Sequence, residues 1–310
     1  MLELIQVTKA YGNRKVVQNL SLHVHHGEIM GLLGPNGAGK STTVSMISTI
    51  SEPDRGDIRV NQQTVKGRLA EVKKIMGVVP QDLALYEALS AQDNLEFFGS
   101  LHGMRGQTLR DRAQEVLELM GLHDKRNQSV GEFSGGMKRR INIGIALMHR
   151  PQLLILDEPT VGIDPQSRNH ILEMVKQLSR DQGTTIIYTS HYMEEVEYLC
   201  DRVAIMDHGR LIACGTKQEL KQQSEALDIL TITYQPNGFE DWEAVSRIGG
   251  IQKMELESSR LILSINTAIG SVIDILDALR TLGVQMSSFQ YEEVNLEHVF
   301  LQMTGKSLRD

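Results

Sequence analysis

The residues best equipped for chemistry are Gly34-Pro35-Asn36-Gly37-Ala38-Gly39-Lys40-Ser41-Thr42, which fit the spacing G-x-x-x-x-G-K-[ST]. Glycines let successive backbone N–H groups turn inward and form a nest for phosphate oxygens. Lys40 adds a point charge near the β- and γ-phosphates, and the Ser41 hydroxyl offers one corner to Mg²⁺. A second constellation follows at Asp157-Glu158, after the four apolar residues 153–156. Asp157 would sit near Mg²⁺, and Glu158 is placed to accept a proton from an attacking water. His191 ends the run 184–190, where a side chain reaching a γ-phosphate is useful. Ser134-Gly135-Gly136 reads as a helix start, with Ser134 as N-cap and two glycines that admit another molecule's phosphate to the helix N-terminus.

Elements of specific kinds must hold these residues. Residues 28–33 read as a short buried strand leading into the phosphate loop, and 41–50 as a helix whose dipole points at the phosphates. The runs 153–156 and 184–190 read as strands buried in a parallel sheet, whose C-terminal ends are where open α/β sheets bind ligands. Strands at 2–8 and 20–24 alternate apolar and polar, as half-buried antiparallel strands do, around a Tyr11-Gly12 turn. Tyr11 could stack on an adenine face. Further strands are expected at 56–60 and 75–79, the second ending at Pro80-Gln81. From 82 to 150 the pattern turns helical, with capping-box spacing at Ser90 to Asp93 and an apolar stripe of Ala113, Val116, Leu117 and Met120. The triplet Lys138-Arg139-Arg140 reads as a solvated face, and His23, His25 and His26 as the solvated end of a strand.

The 310 residues suit two domains, and 41% hydrophobic with 23% charged content is ordinary for a globular protein. No apolar run approaches the roughly 18 residues that span a bilayer, and no basic-then-apolar N-terminal pattern is visible, so no signal peptide is expected. Any membrane role is expected to be peripheral. Two cysteines suit a reducing compartment. The net charge of −7 argues against nucleic acid as the main partner, and all of it lies in 222–310, where 6 Lys+Arg face 13 Asp+Glu. A domain boundary is therefore expected near residue 222.

These motifs, in this order, resemble the ATP-binding subunit of an ABC transporter over about 1–221. Tyr11 matches the adenine-stacking aromatic, 34–42 Walker A, Gln81 the Q-loop, 133–137 the signature, 153–158 Walker B, Asp164 the D-loop and His191 the switch histidine. The resemblance implies an α/β P-loop NTPase with a mainly parallel core sheet, an antiparallel β subdomain and a helical subdomain at about 82–150. It implies ATP and Mg²⁺ as ligands, with Ser41, Gln81 and Asp157 at the metal and Lys40, Gln81, Glu158 and His191 in catalysis. Two ATPase subunits, a homodimer or a heterodimer, would sandwich ATP between one chain's Walker A and the other's Ser134, Gly135 and Gly136, on the cytoplasmic face of the membrane beside separate permease subunits.

Phe133 and Met137 replace the commoner signature Leu and Gln, which removes one polar contact. Phe-Ser-Gly-Gly-Met, with the runs 84–90 and 93–99, looks like the ABC-2 type drug- and antibiotic-resistance exporters. Another class, a soluble ABC ATPase acting on ribosomes or DNA, usually carries two cassettes or long coiled coils. A nucleotide-binding regulator without turnover conflicts with intact Lys40, Ser41, Asp157, Glu158 and His191.

The tail reads as strand 227–234, helix 238–248, strands 251–257 and 260–265, helix 270–282, strand 284–291 and a last helix 295–304. That order suggests a small ferredoxin-like α+β domain in 222–310, with an unfavourable hairpin pair at Ser258-Ser259. The run 295–305 resembles the tail of drug-exporter ATPases.

Overall fold

The computed structural model describes residues 1–224, 226–235, 241–267 and 269–305. They fall into two compact units, Met1–Lys217 and Gln218–Gly305. The first holds β1 (Leu2–Tyr11), β2 (Arg14–Val24), β3 (Ile29–Leu33), α1 (Lys40–Ile47), β4 (Arg55–Val60), β5 (Gln63–Thr64), α2 (Leu69–Ile75) and β6 (Met76–Val79). Then come α3 (Ala91–Leu101), α4 (Gly106–Leu119), α5 (Gly135–Leu147), β7 (Leu153–Asp157), α6 (Pro165–Gln182), β8 (Thr185–Thr189), α7 (Met193–Leu199), β9 (Arg202–Asp207) and β10 (Arg210–Gly215). The break between the units falls inside α8 (Lys217–Ser224). The boundary expected near residue 222 from charge composition falls within the same helix.

A six-stranded sheet in the order β10-β9-β3-β8-β7-β6 forms the centre of the first unit. Its pairs are parallel except β9 with β10. The strands β3 (IMGLL) and β8 (TIIYT) are buried at every position, as sheets covered on both faces require. A second, antiparallel sheet runs β2-β1-β4-β5. Leu2, Leu4, Leu20 and Val24 of that sheet share one core with Leu32 and Ile155 of the central sheet and Val44 and Ile47 of α1. The first hairpin is longer than its alternation suggests, because bulges between Leu4 and Val7 and between Val7 and Lys9 let pairing continue to Tyr11 and Arg14. The mainly parallel sheet, the antiparallel sheet and a helical layer are thus all present.

The helical layer is α3, α4 and α5, packed on one another. Ser90 caps α3 by accepting from Asp93 N–H, and Ser134 caps α5 by accepting from Met137 N–H at 3.3 Å. Gly144 lets α5 approach closely: a Cβ there would lie 3.0 Å from Val116 and 3.3 Å from Leu95. Helix α6 has Asp164 as N-cap, Pro165 in its first turn and Gly183 in a left-handed C-cap. The phosphate-loop helix is shorter than the expected 41–50, ending at Ile47 before Thr49 takes a positive φ of 65°.

The second unit continues with β11 (Asp228–Tyr234), α9 (Trp242–Ser246), β12 (Ile251–Glu257), β13 (Arg260–Ile265), α10 (Val272–Leu282), β14 (Met286–Glu292) and α11 (Leu296–Thr304). Its sheet order is β12-β13-β11-β14 with every neighbouring pair antiparallel. Leu230, Ile232, Leu261 and Leu263 bury one face against Val245, Ile275 and Leu279. The described part of the first helix, Trp242–Ser246, is shorter than the expected 238–248, and residues 238–240 lie outside the described residues.

Candidate active site

The phosphate loop joins β3 to α1 through residues 34–39. Gly37 and Gly39 have φ of 80° and 102°, backbone conformations open to glycine and costly for other residues. Gly34 has no room for more: a Cβ there would sit 2.4 Å from the Met206 carbonyl. A Cβ on Gly37 would meet nothing within 4 Å, so its backbone conformation and not crowding is what calls for glycine there. Lys40 is buried and donates through Nζ to the carbonyl oxygens of Gly34 at 2.6 Å and Pro35 at 3.2 Å. Burial depresses its ammonium below the usual lysine range, while the Glu158 and Asp157 carboxylates pull it back up. A buried cation held on the carbonyl oxygens of a glycine-rich loop, at the start of a helix, suits a polyphosphate. Ser41 is exposed at the start of α1, next to the loop.

Strand register brings the remaining groups to the same edge. Asp157 lies opposite Thr189 in the parallel β7–β8 pair, and Leu32 pairs with Thr189 on the other side of β8. Thr189 Oγ1 donates to Asp157 Oδ1 at 2.7 Å and accepts from the Glu158 N–H at 2.9 Å. Glu158 takes a positive φ of 48°, which turns its side chain out of the strand line. Its Oε1 lies 3.0 Å from His191 Nδ1. A carboxylate held against an imidazole, next to a second carboxylate and a buried lysine, can take a proton from water and stabilise charge on phosphoryl oxygens. Asp157 and the Ser41 hydroxyl are hard oxygen donors of the type Mg²⁺ takes, and the arrangement fits that ion.

Gln81 follows β6, the strand beside β7, so it lies on this edge as well, and its side chain is exposed. Tyr11 is 55% exposed at the tip of the β1–β2 hairpin, with Lys9 Nζ 5.7 Å from its ring centre. Ser134, Gly135 and Gly136 are positioned differently. Among the described residues, no hydrogen bond or ion pair joins them to the phosphate loop. Ser134 and Gly135 face solvent, and a Cβ on Gly135 would meet nothing, whereas one on Gly136 would lie 2.2 Å from Ser167 Oγ. Asp164 is exposed, and its carboxylate accepts from Ser167 N–H at 2.9 Å, a bond that holds it below the usual carboxylate range.

The basic triplet corrects the sequence reading of a solvated face. Arg139 is buried and donates to the carbonyl oxygens of Pro80 at 2.9 Å and Gln81 at 2.6 Å. Lys138 pairs with Glu87 at 2.7 Å, and Arg140 donates to the Met120 carbonyl at 2.8 Å. The three side chains are spent on three different segments, which charge alone does not reveal. Thr189 and Arg139 are the site's supporting residues that sequence reasoning missed. The visible signal for Thr189 was a hydroxyl at the end of an otherwise apolar strand.

A parallel sheet that delivers a phosphate loop, an acidic pair and a histidine to one edge, flanked by an antiparallel sheet and a three-helix layer, defines an ABC-type P-loop ATPase. The same architecture is found in solved structures. A dimeric ATP-binding cassette in a post-hydrolysis state bound to ADP and Pi superposes with a TM-score of 0.64 at 26% identity, covering 70% of this chain and 98% of that one. CbiO1 of Clostridium perfringens, part of an ABC transporter complex, gives 0.66 at 27%, covering 72% and 91%. The family model described as ABC transporter matches residues 17–161.

The chain belongs to the ATP-binding subunits of ABC transporters. It is 46% identical over its full length, and the full length of the relative, to the linearmycin resistance ATP-binding protein LnrL of Bacillus subtilis. It is 36% identical to the daunorubicin/doxorubicin resistance ATP-binding protein DrrA of Streptomyces peucetius, covering 100% of this chain and 94% of the relative. The Nod factor export ATP-binding protein I of Burkholderia orbicola is 37% identical over 98% of this chain and 97% of that one. These place it in the drug-resistance exporter branch, and it is an ATPase. No helix among the described residues is long and apolar enough to cross a membrane.

Proposed function

We propose that this chain hydrolyses ATP at the edge formed by β3, β7 and β8 to drive export of an amphipathic compound through separate ABC-2 type permease subunits. The observation that carries the reading is the 3.0 Å contact of His191 with Glu158, beside Asp157 and the buried Lys40. In this reading the phosphate-loop backbone and Lys40 bind the β- and γ-phosphates, and Tyr11 stacks on the adenine. Glu158 accepts the proton of the attacking water, and His191 holds the carboxylate and meets the γ-phosphate. Ser41, Asp157 and Gln81 would hold Mg²⁺, which offsets negative charge on the phosphates when bound.

Ser134 and Gly135 complete the site from a second copy. Their exposure, together with the cap geometry of α5, supports a two-fold arrangement in which each signature helix faces the partner's nucleotide. A homodimer is the simpler form. The second unit, Gln218–Gly305, is read as a ferredoxin-like accessory domain, supported by its strand order and by relatives that align across the whole chain. The protein is placed at the cytoplasmic face of the membrane by its permease. The class of cargo rests on the relatives, which are named for linearmycin resistance, daunorubicin/doxorubicin resistance and Nod factor export. Nothing observed favours action on ribosomes or DNA.

The test is to tag the Glu158→Gln form, solubilise membranes gently with ATP present, and identify what co-purifies. A polytopic membrane protein in matching amount supports the proposal. Recovery from the soluble fraction alone, with ribosomal or DNA-repair proteins, overturns export and leaves the ATPase chemistry intact.

A further inference from the structure

Behind the catalytic edge lies a buried carboxylate for which the hydrolysis chemistry above has no use. Glu195, in α7, is 2% exposed. Its Oε2 accepts three hydroxyls, each at 2.8 Å: Thr160 Oγ1, Tyr188 OH and Ser190 Oγ. Burial and the neighbouring Glu195 push the Tyr188 phenol well above its ordinary value, so it stays a donor. The other oxygen, Oε1, has no hydrogen-bond partner and lies 3.7 Å from Arg168 Nε.

The donors come from separate segments. Thr160 stands two residues after Glu158, Ser190 immediately precedes His191, and Arg168 belongs to the first turn of α6, which Asp164 caps. Ser190 Oγ also accepts from the Tyr192 N–H at 2.9 Å, tying both sides of His191 to the same cluster. Helix α7 is itself held close to the sheet, since a Cβ on Gly31 of β3 would lie 2.9 Å from Val196 and 3.0 Å from Cys200. A carboxylate removed from water keeps its donors, because any hydroxyl that swings away leaves charge unsolvated.

We infer that Glu195 is a positioning residue for ATP hydrolysis: it fixes the loop leaving Glu158 and the loop carrying His191 against each other, so that their 3.0 Å contact is preset. The inference rests on the proposed roles of Glu158 and His191. Displacing reacting groups by an ångström suffices to slow a reaction by about 100-fold. A Gln at position 195 keeps the shape and can leave its carbonyl oxygen to the three hydroxyls, but it removes the negative charge that holds them and turns a donor NH₂ toward the Arg168 guanidinium, itself a donor.

The experiment measures steady-state ATP hydrolysis, binding of a fluorescent ATP analogue and thermal melting for the full chain and for Glu195→Gln, His191→Ala and the double variant. The expected result for Glu195→Gln is a fall in kcat of about 10- to 100-fold, with KM and analogue affinity within about 2-fold. In the His191→Ala background the same change is expected to cost less than about 3-fold, because the group being positioned is gone. An unchanged kcat overturns the inference, as does a loss that is the same with and without His191. A parallel loss of nucleotide affinity and melting temperature, with the kcat of the folded fraction kept, also overturns it by showing a merely structural role. Should Glu195→Gln not fold, Ser190→Ala removes one donor at little cost in volume. A severalfold fall in kcat at unchanged KM is then expected, and no fall overturns the inference. A Glu158→Gln control separates the two readings: if it hydrolyses ATP normally, the assignment of Glu158 as base fails, and with it the contact that Glu195 is inferred to preset; if it is inactive while Glu195→Gln is not, only the positioning role fails.

Discussion

In the six-stranded sheet, β3, β6, β7, β8 and β9 run in one direction, whereas every neighbouring pair among β11 to β14 is antiparallel. Parallel strands end together, so the residues following β3, β6, β7 and β8 collect on one edge: the phosphate loop, Gln81, Glu158 and His191. Antiparallel strands send their ends alternately to opposite edges, and the second unit distributes Lys253, Glu255, Arg260 and Glu292 along its strands. Each unit also buries a carboxylate. Asp228 accepts from Thr267 Oγ1, Tyr291 OH and the Val294 N–H, so both its oxygens are satisfied, and burial with the Asp228 contact pushes the Tyr291 phenol up to about 12. Glu195 joins the loops that hold the reacting groups and keeps one oxygen without a hydrogen bond, 3.7 Å from Arg168 Nε. Similar donor chemistry serves packing in one unit and the catalytic edge in the other, because of where the tethered loops lead.

The sharpest way to break that division is Glu158→Gln. It is expected to keep nucleotide binding and melting temperature while reducing hydrolysis on the order of 10³-fold, read by phosphate release. Unchanged turnover would show that the proton goes elsewhere. The opposite pattern is expected for Leu263→Ala. Leu263 is fully buried in the second unit's core, and its truncation should cost about 2–5 kcal/mol in chemical denaturation of that unit. Hydrolysis should stay within about 2-fold, and a deep loss of ATPase would show that the units do not divide the work. Lys40→Ala removes the buried cation from the phosphate cradle, and ATP affinity should fall about 10- to 100-fold in a nucleotide titration.

The smallest expected effect is one of pH. His149, after α5, donates from Nε2 to the Met76 carbonyl at 3.0 Å and stacks on His102 with ring centres 3.8 Å apart. Burial, followed by repulsion from His102, lowers its pKa from 6.5 to about 4. The unfolded chain therefore binds a proton that the folded one resists between those values. The stabilising contribution is whole above about pH 6.5 and drains away as pH falls towards 4, on the order of 1 kcal/mol for this half-buried ring. His149→Gln should flatten the melting temperature of the first unit against pH over that window, while the second unit's transition keeps its slope.

How much of this was legible follows the same physics. Spacing along the chain reveals groups that act through backbone conformation or strand ends, so the loop 34–42, Asp157, Glu158 and His191 could be found by reading alone. The strands β3, β7 and β8 showed as unbroken apolar runs for the same reason. Residues whose role depends on a neighbour distant in sequence left a fainter mark. Arg139 looked like surface charge, and Glu195 like one of several acids in 194–197, although it shares the buried side of α7 with Met193, Val196 and Leu199. An acid on an apolar helical face was the available sign. Hairpin length was also obscured, since bulges in β1 shift the alternation that marks a strand.

The left-handed backbone of Glu158, with φ of 48°, has a consequence for how the protein tolerates change. A side chain with a Cβ pays conformational strain there, which glycine escapes. Glu158→Gly should therefore yield a protein that survives heating better than the natural one while having lost its work. Robustness and turnover thus make opposite demands on this one position.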